Sequence, residues 1–476
     1  MKVQNLWNIS LWTCFSTCLA ASTLTGATGW ARPSPSPSPS SPSSSASASP
    51  SPSASASSPG GTRTVIEIGS PNFRAYPMAV PDARDMGGGP PSAAAGEITS
   101  VLRWDFDVAA ALKVLNPKGY LADPTKGGLA AASIKWSDWV SVGAEGLVQA
   151  GVTATSNSLR ADMRFYDVGT GRQVIQKTYE GRPEDARAFA HAFADEVVYQ
   201  LTGTKGIFRT QICAVKRTRT GRELWVMDMD GSNARAITNN GSINILPSWS
   251  RNGREIYFTS YIRHNPNLYA IPVGGGKPRL VLGETGLNTG GQEAPSGDRL
   301  ALTLSRDGNS EIYTVATNGS HLKRLTKEWA IDSSPSWSPD GRQIAFVSAR
   351  FGDPHIFVMN ADGSNVRRVT DRGTYNQTPD WSPKGDLIAF TARDERNVFD
   401  IFTVNPTTKE IRRLTQDQGN NEEPSFSPDG NHIVFTSTRN GDSHIFIMAV
   451  DGSNPKRIGR SGAFSTPAWS PYILTP

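Results

Sequence analysis

Residues 335–346 read PSWSPDGRQIAF, and the same line returns as PSWSRNGREIYF from Pro247, PDWSPKGDLIAF from Pro379 and PSFSPDGNHIVF from Pro424. Its turn glycines are Gly253, Gly341, Gly385 and Gly430. The first gap of 88 residues is twice the following 44, and Gly297 in EAPSGDRLAL stands at the midpoint, with Glu293 where the other copies carry Trp or Phe. Working outward from one copy, a short PSWS strand precedes a Pro-Asp-Gly turn. Apolar strands follow at Ile344–Ser348 and Ile356–Met359, then an Asp362-Gly363 turn and a last strand ending Arg368-Val369-Thr370. Four strands in about 44 residues are the signature of a β-propeller blade.

Sets of three strands close at Thr238, Leu282, Leu325, Thr370, Thr415 and Ile458. The first set, from Gln211, lacks an inner strand, and a spare one, PAWSP, remains at Pro467–Pro471. The pattern predicts a six-bladed propeller over 207–476 whose C-terminal strand completes the first blade. Trp249, Trp337, Trp381, Phe426 and Trp469 recur at one position per blade, which argues for packing between blades rather than ligand stacking. The Asp-Gly-Ser turns at Asp230, Asp362 and Asp451 lack the alternating acids and distal Glu of a calcium loop and read as hairpin turns.

Residues 61–206 alternate helix and strand, so the fold class is mainly β with an α/β N-terminal domain. A strand is expected at Thr64–Ile68, a helix over Ile98–Leu115, and a second from the Trp136–Trp139 turn to Ala150, capped by Ser137 or Asp138. Strands are expected at Gly151–Thr155, Leu159–Tyr166 and Gln173–Tyr179, then a helix over Pro183–Leu201 closed by Thr202-Gly203. Gly-rich Met86–Pro91 lacks the strand–loop–helix frame of a phosphate site. Ahead of this domain, Leu11–Leu24 with a small-residue exit at Gly29 and Ala31 reads as a signal peptide, residues 1–31, too short and too rich in Ser and Thr to span a membrane. From Pro33 to Pro59 every residue is Pro, Ser or Ala, so 32–60 reads as a disordered linker reaching between about 30 and 84 Å.

The chain has 476 residues, of which 78 are Gly or Pro, and 48 basic residues against 43 acidic ones. A formal charge of +5 over that length makes no basic stripe, which excludes a nucleic-acid binder. Three cysteines form neither a disulfide framework nor a zinc motif, and Cys213 is the one that survives signal removal. There is no Gly-x-Ser-x-Gly elbow and no His-Glu-x-x-His motif, so the residues point to binding rather than catalysis. His355 and His444 share a strand-start position with Glu223, Asn267, Glu311 and Asp400. This ring reads as solvent-facing strand starts, set too far apart to hold a metal. His191, on an amphipathic helix, reads as a hydrogen-bonder at the domain junction. No metal or cofactor is expected.

The junction residues are more selective than the repeat. His191, Asp195, Tyr199, Leu201-Thr202-Gly203, Gly206 and Phe208-Arg209-Thr210 resemble the domain junction of the TolB family, periplasmic components of the Tol–Pal envelope system. Trp139, Gly143-Ala144-Glu145 and Gly151 resemble its earlier helix-to-strand segment, and Pro467-Ala468-Trp469-Ser470-Pro471-Tyr472 is similar to its terminal strand. The likeness covers residues 62–476. In that family an N-terminal segment meets an inner-membrane partner, and here the Pro/Ser tract takes its place.

The resemblance implies a periplasmic, non-enzymatic, monomeric adaptor without stable membrane insertion. Its implied partners are a Pal-type peptidoglycan-associated lipoprotein at the propeller mouth and an inner-membrane TolA-like protein. The connections from each outer strand to the next inner strand, rich in Asn, Gln, Ser and Gly, would form that mouth. Matching by the repeat puts Asn288, Asp332, Tyr375, Asn376, Asn421 and Glu422 at the binding positions. The alternative reading is an exported propeller binding a glycan or small ligand, or a hydrolase with an unrecognised site.

Overall fold

The computed structural model describes residues 74–87, 92–121, 128–393, 395–459 and 462–473. The expected signal peptide, linker and Thr64–Ile68 strand, together with most of the Gly-rich loop after Met86, lie outside the described residues. Within them are six four-stranded antiparallel sheets, one six-stranded mixed sheet and three α-helices.

The six sheets are the blades. Blades 2 to 6 each take four consecutive strands, as blade 4 does with Asp332–Trp337, Gln343–Ser348, His355–Asn360 and Arg367–Arg368. Blade 1 is closed by the last strand, Phe464–Trp469, pairing with Gln211–Arg217 in the register Trp469↔Ile212 and Ala468↔Cys213. The recurring aromatics sit between blades. Trp249 Nε1 donates to Ala468 O at 2.9 Å, Trp337 Nε1 to Gln292 O at 3.1 Å, and Trp469 Nε1 to Thr210 Oγ1 at 2.9 Å. Glu293, standing in for a tryptophan, accepts the Arg251 amide at 2.5 Å and the Tyr257 hydroxyl at 3.3 Å. The Asp-Gly-Ser turns are hairpins tied by their own side chains: Asp230, Asp362 and Asp451 each accept the amide two residues on, at 2.8–2.9 Å.

The inner strands carry a device the repeat did not announce. Each breaks register two residues or so after it begins, and there Leu246, Ser334, Thr378, Glu423 and Thr466 adopt φ of 48–60°, with Gly290 at 59° in blade 3. Left-handed backbone on five non-glycine residues is costly and persists only where its surroundings hold it. The hold is visible. The amides of Gly290, Ser334, Glu423 and Thr466 donate to Thr259, Thr303, Thr391 and Thr436 of the preceding blade at 3.0–3.2 Å.

In front of the ring, strands β1 (Tyr76–Ala79), β2 (Arg84–Asp85), β3 (Leu112–Val114), β4 (Gly146–Ala154), β5 (Leu159–Asp167) and β6 (Arg172–Gly181) form a sheet of order β3-β1-β4-β5-β6, with β2 beside β4. Helices α1 (Ala93–Val108) and α3 (Ala186–Thr202) pack together, and α2 (Trp136–Ser141) is a single turn and a half. Two expected helices are corrected here. The first stops at Val108 rather than Leu115, because the propeller takes its terminal carbonyls: Asn454 donates to Asp107 O at 2.6 Å and His432 Nε2 lies 3.0 Å from Val108 O. Leu112–Val114 then pairs with β1 as a strand.

The second helix ends at Ser141, not Ala150. Gly143 turns the chain at φ 77°, and Gly146 enters β4 where a Cβ would meet the Tyr76 ring at 2.6 Å. It also starts from Lys135, which has no capping side chain, rather than from Ser137 or Asp138; Lys135 pairs with Asp138 at 2.8 Å instead. The helix at α3 matches expectation at its end, where Gly203 adopts φ 74° and its amide bonds Tyr199 O at 2.8 Å.

One apolar core runs through both regions. Phe106, Ile98, Phe193 and Val197 of the helices belong to the same buried cluster as Ile212, Met227, Val434, Ile447 and Trp469 of blades 1 and 6. The front region rests on the first-to-second and third-to-fourth strand turns of these blades, at Asp230, His432, Asn454 and Lys456. In a propeller those turns lie on one face and the expected mouth on the other, so the mouth is left uncovered by the front region.

Candidate functional site: the propeller mouth

The six mouth residues expected from the sequence divide into two groups. Asn288, Asp332, Asn376 and Asn421 are 0% exposed. They do not lie on loops. Each opens or nearly opens an inner strand, because the left-handed bulge lets the strand start upstream of its Pro-Ser-Trp-Ser segment. Their polar atoms face inward. Asn288 Nδ2 donates to Pro266 O at 3.0 Å and Glu284 O at 2.7 Å; Asn421 Nδ2 donates to Asp400 Oδ1 at 3.0 Å; Asn376 Nδ2 lies 2.7 Å from His355 Nδ1; and Asp332 Oδ2 accepts Arg350 at 2.9 Å. Burial pushes the Asp332 carboxyl up to about 6 against the pull of Ser348 and Arg350.

These contacts explain the ring of strand-start residues, whose expected solvent exposure is corrected by the structure. Glu223, Asn267, Glu311, His355 and Asp400 are buried, at 6% exposure or less. Thr238 donates to Glu223 at 2.5 Å, Thr326 to Glu311 at 2.6 Å and Thr415 to Asp400 at 2.7 Å, while Thr370 lies 3.3 Å from His355. Each of those hydroxyls also accepts an amide, of Leu224, Ile312, Ile401 and Ile356, at 2.8–3.0 Å. A third group arrives from the next blade's inner strand, as Asn244 does at 3.1 Å from Glu223 and Asn421 at 3.0 Å from Asp400. Acid, threonine and asparagine thus form a buried strut fastening the outer strand of one blade to the inner strand of the next. Their spacing of 15 and 21 residues holds at four boundaries, with His355 in the acid's place at one and Asp332 in the asparagine's at another, and is legible in the sequence.

The other two residues remain accessible. Tyr375, on the inner strand of blade 5, is half-buried at φ 64°, with the Arg393 guanidinium 4.8 Å from its ring centroid, and Glu422 is half-buried on the inner strand of blade 6. What the sequence reading missed is the most exposed apolar surface of the mouth. Trp329, between blades 3 and 4, is 78% exposed, and Phe351, in the turn joining the second and third strands of blade 4, is 70% exposed. Ile243 and Ile262 add smaller apolar faces on blade 2.

Trp329, Phe351 and Tyr375 surround blade 4 on segments that hydrogen-bond one another. Ala349 N donates to Ile331 O at 3.1 Å and Asn376 N to Pro354 O at 2.8 Å. Phe351 stacks on Phe357 at 6.0 Å, and Arg350 lies 5.0 Å over the same ring. The signal that could have found them was the position of large aromatics inside polar loops, where no repeat partner calls for packing.

The TolB beta propeller domain family matches residues 198–400 and 397–473, and the TolB amino-terminal domain family matches 64–174. The chain belongs to the TolB family. Curated members include "Tol-Pal system protein TolB" of Anaeromyxobacter dehalogenans (strain 2CP-C), 43% identical over 208 residues, 44% of this chain and 47% of the relative. The protein of the same name from Myxococcus xanthus (strain DK1622) is 44% identical over 201 residues, 42% of this chain and 46% of the relative. The chain therefore spans about half the length of the curated relatives it matches. The crystal structure of TolB from Acinetobacter baumannii superposes with a TM-score of 0.73 over 84% of this chain and 97% of that one; at 22% identity this is a likeness of fold.

Among the described residues no helix is long and apolar enough to cross a membrane, and no group of three or more His, Cys, Asp or Glu side chains is placed to hold a metal ion. Cys213 is a buried free thiol whose ionisation is suppressed by its apolar surroundings.

Proposed function

We propose that the chain is a periplasmic, non-enzymatic adaptor of the Tol–Pal system. It binds a Pal-type lipoprotein at the propeller mouth and thereby supports outer-membrane integrity and cell division, with an inner-membrane TolA-like protein as its second partner. The observation that carries the reading is the mouth itself: a ring pinned by buried struts, uncovered by the front region, with three aromatic side chains around blade 4. A rigid frame presenting a few large aromatics is the physical form of a protein-docking hot spot, since little ordering entropy is left to lose on binding. The Tol-Pal name of the relatives supports this choice of partner class.

Within the mouth, Asn288, Asp332, Asn376 and Asn421 serve by holding the frame, and Trp329, Phe351, Tyr375 and Glu422 meet the partner. Calorimetry with the organism's own Pal tests this. Trp329→Ala should weaken binding by about 1–3 kcal/mol, roughly 5- to 150-fold, with folding intact. Tyr375→Ala should cost less, because its ring already lies under Arg393. Asp362→Ala, in an Asp-Gly turn on the opposite face, should stay within about threefold of the parent, which is under 1 kcal/mol. Equal affinities for the Trp329 and Asp362 variants would remove the mouth as the docking face.

A further inference from the structure

The junction between α3 and the propeller contains a charge arrangement that the docking function does not use. His191, on α3, is buried at 5% exposure. Its Nδ1 lies 2.8 Å from Asp105 Oδ2 on α1, and its Nε2 has no hydrogen-bond partner but lies 3.7 Å from Asp230 Oδ2 on the third-to-fourth strand turn of blade 1. The ring is thus aimed at one carboxylate of the front region and at one of the propeller, and both carboxylates are buried.

The groups facing this point come from four elements. Helix α1 contributes Asp105 and Glu97; α3 contributes Arg187 and Asp195; the connector contributes Arg209; the blade turn contributes Asp230. Arg187 pairs with both Glu97 and Asp230, and Arg209 with Asp195 at 2.7 Å. The last blade adds Lys456 on Asp107 and the His432–Asp429 pair, at 3.8 Å, at the end of α1. Around His191 itself, the three buried carboxylates of Asp105, Asp195 and Asp230 meet the part-buried Arg187 and the half-exposed Arg209, while Glu97 reaches solvent. A buried excess of negative charge is costly, and one proton on the imidazole is the smallest change that reduces it.

We propose that His191 is a proton-operated clamp between the front region and the propeller: as imidazolium it bridges Asp105 and Asp230, and as neutral imidazole it lets the Asp230 side go. The neutral ring can donate from only one nitrogen, and Asp105 claims that one at Nδ1. Loss of the proton therefore leaves Nε2 as a bare acceptor facing a carboxylate, a repulsive pair. The electrostatics run the same way. Burial alone would lower the affinity of His191 for its proton, but the Asp105 carboxylate and its hydrogen bond outweigh this and hold it above the usual value, while burial pushes Asp105 up to about 7.

His191 binds its proton more tightly when the regions are docked than when the chain is unfolded, and Asp105, hydrogen-bonded to it, titrates as part of the same pair. The stabilisation is full below about pH 6.5 and is lost as pH rises through the higher folded value of His191. Docking therefore weakens as pH rises. The shared apolar core keeps the regions together, so the effect is a loosening of the junction rather than separation.

NMR titration of the full chain reads the imidazole directly, with His191→Gln identifying its signal among the six histidines. The expected midpoint lies above the ordinary imidazole value in the parent and falls by about one pH unit or more in Asp230→Asn, which keeps the oxygen that caps the turn. Hydrogen exchange of the 228–232 turn and of α3, corrected for the intrinsic pH effect, should speed up about tenfold between pH 6 and pH 8.5 in the parent and show no such rise in His191→Gln. A parent midpoint at or below 6.5, or the same corrected rise in both proteins, overturns the proposal. If His191→Gln does not fold, the Asp230→Asn midpoint decides alone: a value equal to the parent's overturns the bridge.

Discussion

The propeller and the α/β region in front of it reach stability by different routes. In the ring, the same few solutions recur about every 44 residues: an aromatic wedge in five blades, a left-handed bulge in all six and a buried strut at four boundaries, each tying a blade to its neighbour. In the front region every contact is used once. Its helix α1 ends where Asn454 and His432 of the propeller take its carbonyls, and its connector fits only because Gly206 has no side chain. A Cβ at Gly206 would lie 2.6 Å from the Asp195 Cα and 2.3 Å from its Oδ1. Repetition makes an element tolerant, because neighbours share the load and a departure such as Glu293 can be absorbed. Uniqueness makes it fragile to small changes at few places.

Five changes test that contrast, beginning with the largest effect. Removing Phe464 onward takes away the strand that completes blade 1 and leaves Gln211–Arg217 as an open edge; aggregation or loss of the cooperative transition is expected by size exclusion and calorimetry. A monodisperse truncated protein with an unchanged melting temperature would show that the ring does not depend on its latch. Gly206→Ala should cost about 1–3 kcal/mol in urea unfolding, since backbone rather than a flexible side chain must move. A repeated glycine should be milder. Gly341, at φ 70° with nothing nearer a Cβ than Pro295 at 3.5 Å, should lose only about 1 kcal/mol on change to Ala. If the two alanine variants unfold alike, the contrast between unique and repeated sites fails.

Asn421→Ala should cost about 1–2 kcal/mol, by leaving Asp400 and Ser437 short of a partner in the strut. The smallest effect concerns Asp332, the blade that carries an acid where its neighbours carry Asn. The folded state holds that proton up to about pH 6, so ionisation erodes stability as pH rises from about 4 to 6. Asn421 accepts Arg439 at 3.0 Å much as Asp332 accepts Arg350. Asp332→Asn should therefore gain melting temperature relative to the parent as pH rises through that window, then level off. A difference that shrinks instead would mean that the Arg350 pair outweighs the burial.

The same contrast explains what could be read in advance. Six aligned copies of one pattern averaged out local noise, so blade number, the Trp wedges and the latch strand were all legible. The front helices had no such replicates. Ala109-Ala110-Ala111 favours helix by propensity, yet the propeller caps the preceding turn, a fact carried by residues more than three hundred positions away. The mouth was half legible for a related reason. Asn and Asp at a loop start look like surface polar groups unless the partner acids and threonines 21 and 6 residues upstream are read with them. Trp329 and Phe351 escaped because they belong to no repeat position; Phe351 rests on Phe357, and both leave most of their surface to solvent.

The latch also sets a clock. Gln211–Arg217 is made early, but its inner partner, Phe464–Trp469, follows roughly 250 residues later, a delay on the order of tens of seconds at ordinary rates of synthesis. During that interval blade 1 has no inner strand, and blade 6 has no neighbour to wedge against. The growing chain thus carries an unfinished circle, with exposed strand edges that invite pairing with other chains. Closure of the ring therefore waits for the strand made last among the described ones, however early the other blades form.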